Sequence, residues 1–299
     1  MKELVILSGK GGTGKTSVTA AFASLAQNMM LCDADVDAAD LHLIMSPDIQ
    51  ETHDFSGGNE AIINPEACVG CGLCLELCRF DAVSQVPGEE VFTVDPIDCE
   101  GCGVCVDLCP EKAIDFPTKI CGQWFDSKTR FGDMIHARLG IAEENSGRLV
   151  ALVRDEARKR VMKQHLDLLL TDGPPGIGCP VIASIGHANA VLIVAEPTVS
   201  GIHDMERVAQ LAAHFKIAAM VCVNKYDLNP DQADAIEAIA KEKNLEMVGR
   251  IPFDPAFTQA MIQGKSIVET HGDSPAGTAI KEIWKRVIAN PAMTLDRLC

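Results

Sequence analysis

Aromatic residues are scarce in this sequence, 4% of 299 positions, with one Tyr and two Trp. Basic residues are outnumbered as well, 26 against 42 acidic ones, for a formal charge of −16. That deficit argues against a nucleic-acid backbone or an anionic membrane as the main partner, and no run of Lys and Arg supplies a local exception. No apolar run approaches the roughly 20 residues that a membrane-spanning helix needs. The chain passes from Met1-Lys2-Glu3 straight into a strand pattern and not a secretory leader, so a cytoplasmic protein is expected. The tail Ile280–Leu298 mixes Lys281, Lys285, Arg286 and Arg297 with Glu282 and Asp296 and is broken by Pro291, which is a poor membrane-surface helix. The hydrophobic share of 47% is mostly aliphatic and alanine, as in the cores of parallel α/β sheets.

The chain is rich in cysteine, with 13. In a reducing compartment such a number points to metal or redox chemistry, not to disulfides. Apolar runs alternate with amphipathic stretches over most of the length. Leu4–Leu7 predicts a strand, Lys15 to about Ala26 a helix, and Met29–Cys32 a second strand. The rhythm then breaks across 64–117, where two Cys-rich stretches flank a Val/Phe-rich, hairpin-like segment. That span holds eleven acidic residues against Arg79 and Lys112, a net of −9. Alternation resumes with a charged helix from about Glu143 to Lys163. Strands at Leu166–Thr171, Val191–Ala195, Ala218–Val223 and Met247–Ile251 follow, interleaved with helices at His203–His214, Asp231–Lys243 and Gly277–Ile288. The expected architecture is an α/β fold with a mostly parallel sheet and helices on both faces, built from 1–63 and 118–299. A small α+β module, 64–117, is inserted into it.

Ser8-Gly9-Lys10-Gly11-Gly12-Thr13-Gly14-Lys15-Thr16-Ser17 carries the pattern G-x-x-x-x-G-K-[ST] between a predicted strand and a predicted helix. Glycines there let backbone N–H groups turn toward phosphate oxygens at a helix N-terminus. The lysine reaches the β/γ-phosphates and the Thr16 hydroxyl ligates Mg²⁺. The extra lysine, Lys10, makes this loop resemble the deviant P-loop of the MinD/ParA/Mrp family, which includes the nitrogenase iron protein. The resemblance implies ATP as substrate, Lys10 and Lys15 as catalytic lysines, and Lys10 acting across a homodimer, or a heterodimer with a paralogue. Cys32-Asp33-Ala34-Asp35 looks like the family's first switch. Asp35 then polarises the attacking water, with Asp33 and Asp37 as competing candidates. Leu168–Gly176 resembles the second switch, with Asp172 holding Mg²⁺ through water and the Gly176 N–H sensing the γ-phosphate. Asn224 in Val223-Asn224-Lys225, and Pro252 and Asp254 in Ile251-Pro252-Phe253-Asp254, match the base-side positions.

Cys68, Cys71, Cys74 and Cys78 repeat the spacing C-x₂-C-x₂-C-x₃-C, and Cys99, Cys102, Cys105 and Cys109 repeat it again before Pro110. In bacterial-type ferredoxins, which this pattern resembles, the fourth Cys of each run serves the other cluster. One 4Fe-4S cluster is therefore expected on Cys68, Cys71, Cys74 and Cys109, and the other on Cys99, Cys102, Cys105 and Cys78. Arg79 stands where the matching proline would follow the first run. Zinc is the competing metal, but three cysteines at successive threes are not its usual spacing. Of the other five, Cys32 and Cys222 read as buried packing residues and Cys299 as terminal. Cys179 sits where the iron protein would place a cluster ligand bridging two subunits, and Cys121 follows the module. For both, packing is the favoured reading. Three functions fit: ATP-gated electron transfer through the clusters to a redox partner, ATP-dependent assembly or carriage of iron–sulfur or another metallocofactor, and a MinD-like positioning ATPase.

Overall fold

Leu4 and Ile6 turn to one face of their strand and Val5 and Leu7 to the other, and all four are fully buried. A strand apolar on both faces belongs inside a sheet covered on both sides. The computed structural model, which describes residues 1–140 and 146–294, contains that sheet. In chain order the strands are β1 (Lys2–Ser8), β2 (Met29–Asp33), β3 (Asp48–Asn59), β4 (Ile62–Ile63), β5 (Val83–Gln85), β6 (Phe92–Val94), β7 (Ile114–Asp115), β8 (Thr118–Lys128), β9 (Asp133–Leu139), β10 (Leu168–Pro175), β11 (Ala190–Ala195), β12 (Ala218–Asn224) and β13 (Glu246–Ile251). Nine of them form one sheet in the order β13-β12-β11-β1-β10-β2-β9-β8-β3. Every neighbouring pair from β13 to β9 is parallel.

Helices cover both faces. Lys15–Ala23 and Pro275–Ala289 share one core, where Phe22 and Trp284 meet with ring centroids 4.9 Å apart. Cys179–Ile185, Val199–His214 and Pro230–Glu242 form the other with Val191, Ile193 and Val221. The chain runs from β1 toward β10 and β2 on one side and toward β11, β12 and β13 on the other. This reversal beside β1 sets loop 9–14 at the carboxyl edge of the sheet, where ligands of such folds bind. No helix among the described residues is long and apolar enough to cross a membrane.

The chain divides into two units, one of residues 1–53, 124–138 and 146–294, the other of 54–123 with 139–140. The smaller unit is wider than the cysteine-rich span 64–117, because the adjoining halves of β3 and β8 count with it. Its core pieces are two antiparallel pairs, β4 with β7 and β5 with β6, and the second pair is the hairpin expected between the Cys runs. The expected helix start at Glu143, the tail beyond 294 and Cys299 lie outside the described residues.

Candidate nucleotide site and cysteine unit

Gly14 ends loop 9–14 at φ +92°, a left-handed conformation, and a Cβ there would stand 2.4 Å from the Asn224 amide nitrogen. Glycine is therefore required for both backbone shape and space. The helix Lys15–Ala23 then buries Lys15 to 5% exposure and aims it at the ends of β2 and β10. Its Nζ lies 3.0 Å from Asp172 Oδ1 and 3.1 Å from Asp35 Oδ2. One turn on, the Thr19 hydroxyl sits 2.9 Å from the same Asp172 oxygen. The sequence reading passed over Thr19. Its signal was four-residue spacing from Lys15, which puts both on the inward face of one helix.

Three carboxylates surround one ammonium here. Burial works against the charge of Lys15, but Asp172, Asp35 and Asp33 together hold its pKa above the ordinary lysine value. Burial raises Asp35 despite the pull of Lys15. It raises Asp33 well above the usual carboxylate range, and the charge of Asp172 adds to the shift. Asp33 is 1% exposed; its Oδ1 accepts the Asp35 backbone N–H at 3.1 Å, and its Oδ2 has no partner. Burial and the nearby Asp172 charge thus push Asp33 toward its protonated form. Asp172 Oδ2 and Thr13 Oγ1 are also buried without partners. Orphaned oxygens beside a buried ammonium fit a phosphate-bound Mg²⁺. Thr16 and Ser17 follow Lys15 on the same helix and are half-buried.

The Gly176 N–H, the expected γ-phosphate sensor, donates to the Ser8 carbonyl at 2.9 Å. Lys10 does not reach outward: its Nζ lies 3.2 Å from Glu196 Oε2 in the same chain. Asn224 is 4% exposed and donates to the Thr13 carbonyl at 2.7 Å, so its amide braces the loop. Beside it opens a cleft of about 240 Å³. It brings together the expected Gly12, Gly14, Ser17, Asn224, Pro252 and Asp254. Phe253, 50% exposed, and Phe257 also line it and were not foreseen; flat apolar rings are what a purine stacks on. Asp254 Oδ1 accepts the Ala256 N–H at 2.9 Å, at the start of the next helix. Gly9 and Gly11 complete the loop, and Gly9 lies so close to Asp204 that a Cβ would meet that side chain at 2.1 Å.

In the smaller unit the two Cys runs fold alike. Short helices Leu73–Leu77 and Val104–Leu108 each follow a left-handed glycine, Gly72 at φ 77° and Gly103 at φ 74°. Each ends on an extended cysteine, Cys78 at φ −72°, ψ 116° and Cys109 at φ −66°, ψ 117°. Cys68 N–H donates to Asn64 O and Cys99 N–H to Asp95 O, both at 3.1 Å. The start of each half bonds the end of the other, Asn64 N to Ala113 O at 2.8 Å and Asp95 N to Ala82 O at 2.7 Å. This two-fold repeat was visible in the sequence only as cysteine spacing.

That crossing brings Cys109 to the first run. Cys68, Cys71, Cys74 and Cys109 line one hollow with Cys105, walled by Ile63, Phe92 and Ile114. The Ala113 N–H donates to Cys109 Sγ at 3.3 Å. Burial and then the neighbouring sulfurs of Cys68 and Cys71 raise the Cys74 thiol pKa; Cys99 and Cys102 do the same to Cys105. Crowded thiols that resist losing protons alone fit a polynuclear iron group, whose positive irons offset several thiolates. No three metal-ligating side chains close on a single ion among the described residues. Cys121 is buried against Gly57, outside the hollow. Cys179 is exposed at the first position of its helix, with Gly147 packed against it.

The site and sheet define a P-loop nucleotide-binding protein. The chain belongs to the CobQ/CobB/MinD/ParA nucleotide binding domain family, whose model matches residues 4–267. An uncharacterized protein of Methanocaldococcus jannaschii is 29% identical over 95% of this chain and 96% of its own length. A cytosolic Fe-S cluster assembly factor, the NUBP1 homolog of Caenorhabditis elegans, is 26% identical over 42% of this chain and 46% of its own length. Among solved structures, septum site-determining MinD from Pyrococcus horikoshii, complexed with Mg-ADP, has a TM-score of 0.57. It covers 98% of this chain and 99% of its own at 18% identity.

Proposed function

We propose that this chain is a Mg²⁺-dependent ATPase in which residues 64–117 form a ferredoxin-type module carrying two 4Fe-4S clusters. Nucleotide state then controls electron delivery to a protein partner. The observation that carries the reading is the meeting of cysteines from both runs around a single apolar hollow, Cys68, Cys71 and Cys74 from the first and Cys105 and Cys109 from the second. Ligands supplied crosswise by both halves, with apolar walls, suit a resident redox group better than cargo. Handing such a group on would require the two halves to separate.

When bound, the clusters would supply one-electron chemistry; Cys71 and Cys102 are the exposed members of the set, where an electron would leave. On the nucleotide side, Lys15 exchanges its carboxylate partners for phosphate oxygens. Thr16 and Asp172 would hold Mg²⁺, which would offset phosphate charge. Asp35, once released by Lys15, is free to accept a hydrogen bond from the attacking water. Gly176 must leave the Ser8 carbonyl before its N–H can meet a phosphate. By the family resemblance ATP brings two copies together, or this chain and a paralogue, through Lys10. A cytoplasmic location fits the reading.

Iron–sulfur assembly is the second reading, supported by the likeness to the Fe-S assembly factor and by the exposed thiol of Cys179. Anaerobically prepared protein separates the two. Under the electron-transfer reading, about eight irons per chain stay bound when an apo acceptor protein is added with ATP, and the clusters cycle between redox states. Loss of iron to the acceptor in step with ATP turnover would replace it with the assembly reading.

A further inference from the structure

Glu196 follows the last residue of β11 and stands between two lysines of the phosphate loop and its neighbour. Its Oε2 is 3.2 Å from Lys10 Nζ and its Oε1 2.6 Å from Lys225 Nζ. Lys225 Nζ continues to the Gly12 carbonyl at 3.0 Å, and Lys10 Nζ to Ser200 Oγ at 3.4 Å. One carboxylate, its side chain 18% exposed, thus ties the loop to the sheet edge at two places. Both ammoniums pull the Glu196 carboxyl below its ordinary range although burial opposes them. The Lys10 side chain is 37% exposed, and its ammonium is held against its own chain by Glu196 and Ser200.

We infer that Glu196 is a positioning residue: it parks Lys10 against its own subunit and braces Lys225 on the loop. Lys10 becomes available to a second subunit's nucleotide only when this contact opens. The inference deepens the ATP-dimer reading and rests on it for the step across the interface; the parking contact does not. Phosphate oxygens and Glu196 compete for the same cations. Glu196 therefore sets a threshold, because dimerisation must repay the ion pair that it breaks.

The test has two arms. In the first, lysine amines of nucleotide-free protein are acylated in competition and read by mass spectrometry. Glu196→Gln should speed labelling of Lys10 and Lys225 about three- to tenfold relative to the other lysines, the scale of a half-exposed, charge-assisted pair. Ser200→Ala should move Lys10 alone, and less. Unchanged rates at Lys10 in Glu196→Gln overturn the inference. In the second arm, sedimentation follows dimer formation against ATP in an Asp35→Asn background. Glu196→Gln should move the midpoint to lower ATP by a similar factor; an unmoved midpoint overturns the threshold role. If no dimer forms in either protein at saturating ATP, the dimer reading has failed and takes the step across the interface with it. A raised Lys10 labelling rate then still marks the contact as real. Should Glu196→Gln not fold, Glu196→Asp serves, since the shorter carboxylate cannot reach both lysines. One of them must gain reactivity, and no gain at either overturns the inference.

Discussion

Replacing Lys15 with Met should damage the nucleotide-free protein as well as its catalysis, which a simple phosphate-binding lysine would not do. Lys15 lies 3.0 Å from Asp172 and 3.1 Å from Asp35, and all three side chains are under 10% exposed. At an effective dielectric near 20, each contact is worth about 5 kcal/mol before desolvation is charged against it. The net value is much smaller, but removing only the cation leaves two buried carboxylates unmatched, a change that costs about 3–5 kcal/mol. Part of this is recovered by proton uptake, because Asp35 and Asp33 already have raised pKa values. We therefore expect Lys15→Met to lower the unfolding free energy by about 3 kcal/mol at neutral pH and by less at pH 5. Lys15→Met combined with Asp172→Asn should recover more than half of that loss. Urea unfolding without nucleotide or Mg²⁺ measures all three proteins, and turnover is measured separately. Were Lys15→Met as stable as the parent and inactive, the lysine would be serving phosphate alone, and the closed ion-pair cluster would not exist in solution.

Three further outcomes follow from named contacts. Cys109→Ser should remove the cluster on Cys68, Cys71 and Cys74, and Cys78→Ser the one on Cys99, Cys102 and Cys105, each taking iron from about eight to about four per chain. Electron paramagnetic resonance should show each variant losing the signal of the opposite run, and loss of its own run's signal would refute the crossed pairing. Asp33→Asn should stabilise the nucleotide-free protein near neutral pH, where the raised pKa makes ionised Asp33 a burden. Its advantage should fade as pH falls through that pKa, and a constant difference across pH would count against a titrating Asp33. His136, buried and 2.9 Å from Ser127 Oγ, has its pKa lowered to about 4, by burial first and then by His42. A depressed histidine contributes stability above pH ~6.5 that is lost as pH falls toward 4, about 3 kcal/mol in all, and His136→Asn should flatten that part of the stability–pH curve.

The parallel sheet was legible because its strands are short apolar runs, Leu4–Leu7 and Val191–Ala195 among them, buried on both faces and so free of ambiguity. The strands β3, β8 and β9 were not foreseen. Asp48–Asn59 is largely exposed and polar, with no apolar periodicity to mark it, and Trp124 in β8 reveals its place only by stacking on His53 with centroids 4.0 Å apart. The loop was legible as types of residue in order, since backbone geometry at a phosphate loop admits few alternatives to glycine. What the sequence could not convey was how these groups pair within the chain. Lys15, Lys10 and the Gly176 N–H were read as groups that meet nucleotide, yet each has found a substitute within the chain: Asp172 with Asp35, Glu196, and the Ser8 carbonyl. Such pairings depend on residues far apart in the sequence, and Glu196 carries no motif that singles it out.

These substitutes bear on how nucleotide and clusters could communicate. If ATP binds as proposed, it exchanges several of these internal contacts at once, and the proposed first and second switches respond together. The chain enters the smaller unit after the proposed first switch, through β3, leaves it through β8 and rejoins it at 139–140 before reaching the proposed second switch at β10. If that exchange is felt by the clusters, linkage makes the effect reciprocal: the factor by which ATP changes the affinity for an electron is the factor by which reduction changes the affinity for ATP. A tenfold effect corresponds to about 59 mV for a one-electron couple. We expect a shift of that order between nucleotide-free and ATP-bound protein, measured by redox titration. A matching change in ATP affinity between oxidised and reduced protein, measured by calorimetry, should accompany it. The two numbers must agree through the cycle, which guards against a shift caused by damaged clusters. Potentials that ignore nucleotide, together with affinities that ignore redox state, would exclude nucleotide gating of the cluster potential and leave iron–sulfur assembly as the better account of the paired cysteine runs.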